Sequence, residues 1–204
     1  MDGVRRLPRG RHALSPEAVA EAQRDRLMTA MAQVMSEKGY VKTSVEDVIR
    51  RAVISRQSFY RHFTSKQDCF MAAFRRSTQV LEQRIATAAS GDGGPVERFE
   101  RALADFLEAL VLDPASARLC VSEVYAAGPE AVAHRTDFQR RLGERMAAML
   151  EAGTEAGQFA CQVLVAAIAT MVAGPLATGE QEALRALGPP LVEHVRGLKA
   201  AGLI

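Results

Sequence analysis

A run of hydrogen-bonding side chains lies between residues 56 and 66. Arg56 and Gln57 stand side by side at its start. An arginine guanidinium can form two hydrogen bonds with a guanine edge, and a glutamine amide can do the same with adenine. The remaining donors, which suit the phosphate oxygens of a nucleic-acid backbone, are Ser58, Tyr60, Arg61, His62 and Lys66. The run therefore has the chemistry of a nucleic-acid contact, although the same residue types also form ordinary solvated helix faces.

Two short helices are predicted to position this run. Thr43 and Glu46 have the spacing of a capping box, which predicts a helix from Thr43 to about residue 51 or 52. Ser55 is a favourable N-cap for a second helix over residues 56–62. Only residues 52–54 separate the two. Such a tight joint is typical of a helix-turn-helix, in which the second helix enters the DNA major groove.

The second helix is expected to have an inner and an outer face. Phe59 and Phe63 would point inward, which leaves the polar run outside. Thr43 and Ser44 lie where free backbone N–H groups at a helix start favour an anion, so one of the two is expected to contact phosphate. Paired short helices also occur in proteins that never bind DNA, and the pattern alone leaves both interpretations open.

Three stretches of this region resemble the DNA-binding domain of TetR-family transcriptional regulators. They are GYVKTSV at residues 39–45, SRQSFYRHF at 55–63 and SKQD at 65–68. The FYRHF run, followed by a lysine after a two-residue gap, is far more specific than a generic helix-turn-helix. The resemblance covers about residues 23–75.

The resemblance implies both a fold and a set of contacts. In the family, three helices form the DNA-binding domain, and a fourth joins it to a larger helical domain that binds ligand and dimerises. The implied base or phosphate contacts are those of Arg56, Gln57 and Ser58. The implied contacts with the DNA backbone are those of Tyr60, His62 and Lys66, with Thr43 or Ser44 on a phosphate.

Three positions depart from the family pattern. Val53 stands in the turn where the family usually has glycine, so the turn is expected to be shifted, strained or built with an ordinary φ. Ile49 replaces a small alanine, which would open the packing between the two short helices a little. Cys69 replaces leucine and is expected to be a small core residue rather than a redox sensor.

The charge distribution separates a basic front from an acidic back. Residues 1–76 hold 15 Lys and Arg against 8 Asp and Glu, a net charge of +7, whereas residues 77–204 hold 11 against 16, a net −5. A basic front half fits a polyanionic partner. Three scattered cysteines without a CxxC pair argue against a zinc module or a disulfide framework. No uninterrupted apolar run reaches the ~18 residues of a membrane span, so a cytoplasmic protein without metal or cofactor is expected.

Helical spacing without strand alternation predicts an all-α protein of eight to ten helices. Residues 1–14 are expected to form a flexible basic arm, 15–64 the helix-turn-helix domain, and 65–204 the helical ligand-binding and dimerisation domain. Glycine, proline and capping residues predict where the helices begin and end. The predictions are an end at Gly39, a capping box of Thr64 and Gln67, a helix from Gly128-Pro129 to about Ala156, and breaks at Gly174-Pro175 and Gly188-Pro189-Pro190.

The C-terminal half offers apolar faces for a pocket and for a second chain. The expected pocket residues are Phe99, Leu103, Phe106, Tyr125, Phe138, Met146 and Met149, with Tyr125 or Glu123 as polar contacts; packed core is the alternative for each. Residues 159–173 are apolar nearly all round, so this helix must be buried in the core or against another subunit. The resemblance implies a two-fold homodimer through the last two helices.

These observations predict a sequence-specific DNA-binding transcriptional regulator. It would be a ligand-responsive repressor that binds a palindromic operator in double-stranded DNA as a homodimer and responds to a small apolar effector. Residues 95–204 show no Ser/His/Asp or HExxH constellation, so an enzyme is not expected. The alternative function is a helical protein–protein adaptor that keeps the fold without operator binding.

Overall fold

The computed structural model describes residues 15–204, and within that range it contains helices and turns but no strand. The all-α prediction is therefore confirmed, while the predicted arm, residues 1–14, lies outside the described residues. A turn of 3-10 helix, Glu123–Tyr125, follows α6. The α-helices are α1 (Pro16–Lys42), α2 (Val45–Ala52), α3 (Arg56–His62), α4 (Lys66–Ala89), α5 (Pro95–Leu112), α6 (Pro114–Val121), α7 (Pro129–Leu150), α8 (Glu155–Thr178), α9 (Gln181–Ala186) and α10 (Gly188–Ala200).

The first four helices share a core rich in aromatic and methionine side chains. Its fully buried members include Leu27, Met31 and Met35 of α1, Phe59 of α3, Phe63 directly after it, and Phe70 and Phe74 of α4. Burying a side chain of this size contributes about 1.5–3 kcal/mol. These contacts fix the orientation of α3, and the inward placement predicted for Phe59 and Phe63 is confirmed. Cys69 is also a buried core residue, and burial raises the pKa of its thiol to about 12.

The chain between α1 and α2 turns at Gly39, where φ is 78° and the helix is interrupted as predicted. Thr43 is only 3% exposed, and its hydroxyl donates to the Gly39 carbonyl oxygen at 2.8 Å. Ser44 therefore caps α2: its Oγ accepts from the Asp47 N–H, and the Asp47 carboxylate accepts from the Ser44 N–H. The capping box predicted for Thr43 and Glu46 was wrong by one residue.

The capping residue of α4 also lies one position later than predicted. Ser65, not Thr64, is the N-cap, and its hydroxyl accepts from the Asp68 N–H at 3.1 Å. The Thr64 N–H instead donates to the Asp68 carboxylate at 2.9 Å. The predicted box of Thr64 and Gln67 was therefore wrong, because the second of two adjacent hydroxyl residues takes the capping position.

The turn between α2 and α3 has the geometry that glycine usually supplies. Val53 adopts φ 55° and ψ 51°, in the left-handed region that a β-branched residue resists. The Ile54 N–H donates to the Ile49 carbonyl at 3.0 Å, and the Val53 N–H donates to the Arg50 carbonyl at 3.4 Å. This is the pattern of a Schellman motif. Of the outcomes that the sequence left open, the strained turn is the one observed.

The remaining helices form a second apolar core, built mainly by α5, α7, α8 and α10. The helix predicted to reach about Ala156 ends at Leu150, because Glu151 adopts a left-handed φ of 57°. The break predicted at Gly174-Pro175 is also wrong: α8 continues to Thr178, since Val172 and Leu176 on either side are buried and outweigh the one hydrogen bond that proline removes. The split at Gly188-Pro189-Pro190 is confirmed by α9 and α10.

One segment, α6 with the 3-10 turn, belongs to both cores. Leu119 and Val124 join the N-terminal core, whereas Ala117 joins the C-terminal one. The Arg118 guanidinium donates to the Ser36 carbonyl of α1 at 3.1 Å and to two carbonyls at the end of α8, those of Leu176 at 3.0 Å and Ala177 at 3.3 Å. This segment therefore packs against both cores and forms hydrogen bonds with helices of each.

A second contact from this segment lies directly before the helix-turn-helix. The Glu123 carboxylate accepts from the Tyr40 backbone N–H at 2.7 Å, at the interruption of α1. A hydrogen bond to a charged acceptor is stronger than one between neutral groups. The C-terminal domain thus holds the chain where it turns toward α2 and α3.

Candidate nucleic-acid interface

The outer face of α3 is polar and open to solvent. The Ser55 hydroxyl accepts from the Ser58 N–H at 3.1 Å and starts the helix. Phe59 and Phe63 occupy the inner side, so the side chains opposite them cannot reach the core. Of the predicted contact residues on α3, the exposed ones are Arg56, Gln57, Tyr60 and Arg61, while Ser58 and His62 are half-buried. The structure therefore brings the two predicted base-reading residues together on one free surface.

Arg56 is held by a neighbouring carboxylate. Its guanidinium donates to Glu46 of α2 at 2.7 Å, and both side chains are exposed. The hydrogen bond to Glu46 raises the pKa of Arg56, so the group remains a cation. Water screens an exposed ion pair of this kind, and the guanidinium is free to exchange Glu46 for another acceptor.

His62 faces α1 rather than open solvent. Its Nε2 lies 3.1 Å from the Gln23 Oε1, and Arg24 donates to the His62 carbonyl at 3.1 Å. Burial lowers the pKa of His62, and the positive charges of Arg24 and Arg61 lower it further. The imidazole is therefore neutral near pH 7 and fastens the end of α3 to α1.

Lys66 is also engaged within the protein. Its Nζ donates to the Tyr40 carbonyl at 3.0 Å and lies 4.1 Å from the centre of the Tyr40 ring. Burial lowers the pKa of this ammonium group. The Tyr40 hydroxyl in turn donates to Gln67. Lys66 thus joins the end of α1 to the start of α4, a role that the sequence prediction did not include.

Of the two residues at the start of α2 that were predicted to contact phosphate, only one is exposed to solvent. Thr43 is buried, whereas Ser44 is exposed. Asp47 lies beside Ser44 and forms an ion pair with Lys38 at 2.6 Å. The hydrogen bonds from Lys38 and Ser44 hold the pKa of the Asp47 carboxyl far below its usual range. Ser44, rather than Thr43, is the residue that a phosphate could approach.

Sequence reasoning missed the residues that support this surface from a distance. Gln23, Arg24 and Tyr40 contact α3 or α4 across separations of 26 to 39 residues. The Arg24 guanidinium also lies 4.5 Å from the centre of the Phe63 ring. No local spacing marks such pairs, because they arise only when α1 crosses the other helices.

A second candidate site is an apolar cavity in the C-terminal domain, bounded by α4, α5, α6, α7 and α8. Six of the seven predicted residues line it, namely Phe99, Leu103, Phe106, Phe138, Met146 and Met149. Tyr125 does not; it is 62% exposed and packs against Arg135. Glu123, the other predicted polar contact, is bound to Tyr40 instead. The cavity measures about 100 Å³.

One long helix keeps an apolar surface outside the core. α8 buries Leu164, Ile168 and Val172 but exposes Phe159 (70%) and Val163. By length and composition alone α8 is able to cross a membrane. Its buried side packs against α7 and α6.

The fold and the first site together define a class: a helix-turn-helix regulator with an added all-helical domain. Two family models match consecutive parts of the chain. The one described as bacterial regulatory proteins, tetR family, matches residues 27–73, and the one described as tetracyclin repressor-like, C-terminal domain, matches residues 92–176. The chain belongs to the TetR family of bacterial regulatory proteins.

Individual relatives agree with this assignment. The HTH-type transcriptional activator FasR of Mycolicibacterium smegmatis is 24% identical over 55% of this chain and 52% of its own length. The chain spans about half or less of the curated relatives it matches.

Solved structures match over most of the chain. A TetR-like transcriptional regulator from Rhodococcus sp. RHA1 is 27% identical, with a TM-score of 0.69 over 95% of this chain and 98% of that one. The regulator FadR of Bacillus subtilis, solved in complex with stearoyl-CoA, shares the fold at 15% identity, with a TM-score of 0.73 over 84% of this chain and 96% of its own.

Proposed function

We propose that the protein is a cytoplasmic, ligand-responsive transcriptional repressor that binds a palindromic operator as a homodimer. The observation that carries this proposal is the outer face of α3, where Arg56 and Gln57 are exposed side by side above buried phenylalanines. Side chains on a rigid helix can reach base edges in the major groove at a fixed angle. Repression is favoured over activation because a bound protein would block polymerase.

The predicted contacts divide into base-reading and backbone-binding roles. Arg56 exchanges Glu46 for a guanine edge, and Gln57 binds adenine. Ser44, Ser58, Tyr60 and Arg61 bind phosphates around the groove. His62 and Lys66 keep α3 and α4 in place through their contacts with α1, and Lys66 adds positive charge toward the backbone.

The homodimer is proposed to form through α8 and α10. Phe159 and Val163 leave an apolar surface on α8 that a second copy would cover. A two-fold axis between the copies would place two α3 helices on successive turns of one DNA face. The half-sites would then lie about one helical turn apart, or somewhat more.

The effector is proposed to bind in the C-terminal cavity. At about 100 Å³ the cavity is smaller than the roughly 300 Å³ at which ligand pockets usually begin, so a ligand must push the surrounding helices apart. A ligand that favours this widened form over the DNA-binding form would release the operator. The lipid ligand in the FadR structure of similar fold supports an apolar effector.

A mobility-shift titration with the DNA upstream of the protein's own gene tests the proposal. We expect one shifted species, a dimer on a palindrome, with affinity that falls steeply with salt. About eight neutralised phosphates would give a log–log slope near −7. Binding to no upstream fragment, or a flat salt dependence, would refute operator binding and favour the adaptor.

A further inference from the structure

We propose that the effector is an amphiphile with an apolar chain and an anionic head group, and that Arg135 binds the head group. This inference rests on the proposed function, since it takes the C-terminal cavity as the effector site. The cavity wall is apolar apart from three polar side chains of α7, namely Arg135, Gln139 and Arg145. A ligand with both an apolar and a polar part would match such a wall.

The two arginines at the cavity differ in whether their charge is already neutralised. Arg145 donates to the Glu82 carboxylate at 3.2 Å and to the Glu82 carbonyl at 3.3 Å. Arg135 is half-buried, and within residues 15–204 it forms no ion pair with a carboxylate. Its contacts are the Tyr125 hydroxyl, to which it donates, and the Tyr125 ring, 5.0 Å from its guanidinium carbon. Arg135 therefore brings an uncompensated positive charge to the edge of an apolar cavity.

Arg135 and the buried Cys120 line the same cavity. Burial raises the pKa of the Cys120 thiol to about 12; the negative charge of Asp113 raises it further, and the positive charge of Arg135 lowers it. An anionic head group would therefore bind beside the guanidinium at the cavity edge rather than deep in the cavity. A carboxylate or a phosphate could form two hydrogen bonds with the guanidinium, and the chain attached to it would enter the cavity.

The position of Arg135 also connects the head group to DNA binding. Tyr125 belongs to the 3-10 turn Glu123–Tyr125, whose Glu123 holds the Tyr40 N–H at 2.7 Å. An anion that draws Arg135 away from Tyr125 removes one of the contacts between this turn and α7. The change would reach the end of α1 directly before α2 and α3. A neutral ligand in the cavity would lack this effect.

Titration calorimetry on DNA-free protein tests the proposal with three probes of equal chain length: decanoate, decanoyl-CoA and decanol. We expect decanoate, decanoyl-CoA or both to bind at least tenfold more tightly than decanol. Decanoate alone would assign a carboxylate head group, and decanoyl-CoA alone a phosphate one. Equal affinity for decanol and both anions, or no binding of either anion, would overturn the proposal.

Variants of the two arginines identify the anchor. Arg135→Gln should lose the preference for anions, Arg135→Lys should keep most of it, and the matched control Arg145→Gln should keep all of it. Melting temperatures check that each variant folds. Retention of the preference in folded Arg135→Gln, or its loss in Arg145→Gln, would overturn the role of Arg135. Because these titrations contain no DNA, a failure of operator binding would show only in the mobility-shift assay.

Discussion

Two regions of the protein, α3 and α8, expose different kinds of side chain to solvent. α3 buries its phenylalanines and exposes Arg56 and Gln57, whereas α8 exposes Phe159 and Val163 beside a buried core. A polar surface on a rigid helix suits a hydrated, charged partner, and an exposed apolar surface suits a second protein surface. The comparison supports the proposal that α3 binds DNA and that a second copy of the chain covers α8.

The two regions also differ in the side chains that fill them. Within the described residues, the N-terminal core contains aromatic rings in mutual contact, such as Phe70 and Phe74, whose centroids lie 5.8 Å apart. The C-terminal core contains an apolar cavity of about 100 Å³ that is bordered by two arginines. Aromatic packing holds α3 in place for recognition, while a cavity between helices gives a ligand a place to enter. The α6 segment joins the two through Arg118 and Glu123.

The largest effect is expected from a variant that removes the apolar character of the exposed α8 surface. Combining Phe159→Glu with Val163→Glu places two charges on the exposed surface of α8. Because burying unpaired charges opposes association, we expect a monomer in sedimentation velocity. Operator affinity should fall by at least ~100-fold, since the second half-site no longer contributes.

A charge on an exposed apolar residue elsewhere provides the control for this variant. Leu112 at the end of α5 is also exposed, and Leu112→Glu should leave both dimer and affinity unchanged. A double variant that remains dimeric would place the interface on another surface.

The smallest effect is expected from a variant in the turn between α2 and α3, and it tests whether this turn is strained. Val53→Gly relieves a left-handed φ that costs a β-branched residue about 1–2 kcal/mol. Since the side chain is 82% exposed, little packing is lost. After the greater entropy of unfolded glycine is subtracted, we expect a gain of about 0.5–1 kcal/mol in the free energy of unfolding, measured by urea denaturation.

A second exposed valine is the matched control for that change. Val41 lies between the interruption of α1 at Gly39 and the end of the helix at Lys42, and its φ is not positive. Val41→Gly therefore relieves no strain and should destabilise the protein by about 0.5 kcal/mol, because unfolded glycine has the greater entropy. If Val53→Gly were destabilising to the same extent, the strain inferred at the turn would be absent.

The sequence predicted those features that depend on neighbouring residues. The bounds of α3, the inward Phe59 and Phe63, and the split before α10 follow from local spacing and proline positions. The caps of α2 and α4 were misplaced by one residue. Each start has two adjacent hydroxyl residues, and the first of them is engaged elsewhere. Thr43 donates to the Gly39 carbonyl oxygen, and Thr64 donates to the Asp68 carboxylate.

Features that depend on long-range packing could not be predicted. Tyr125 was expected in the cavity as an aromatic residue among apolar helices, but Arg135 holds it at the surface. Lys66 and His62 were expected to be free donors, yet each is bound to α1. Their partners are at least 26 residues away, so no spacing within one helix reveals them.

The most direct test of the account is the ratio of affinities for operator and scrambled DNA, measured by competition at fixed salt. Arg56→Ala and Gln57→Ala should each lower this ratio at least ~fivefold, since a two-point base contact discriminates by about 1–3 kcal/mol. Lys66→Ala should weaken both affinities alike and leave the ratio unchanged. An unchanged ratio in folded Arg56→Ala and Gln57→Ala would contradict the claim that the outer face of α3 reads the operator.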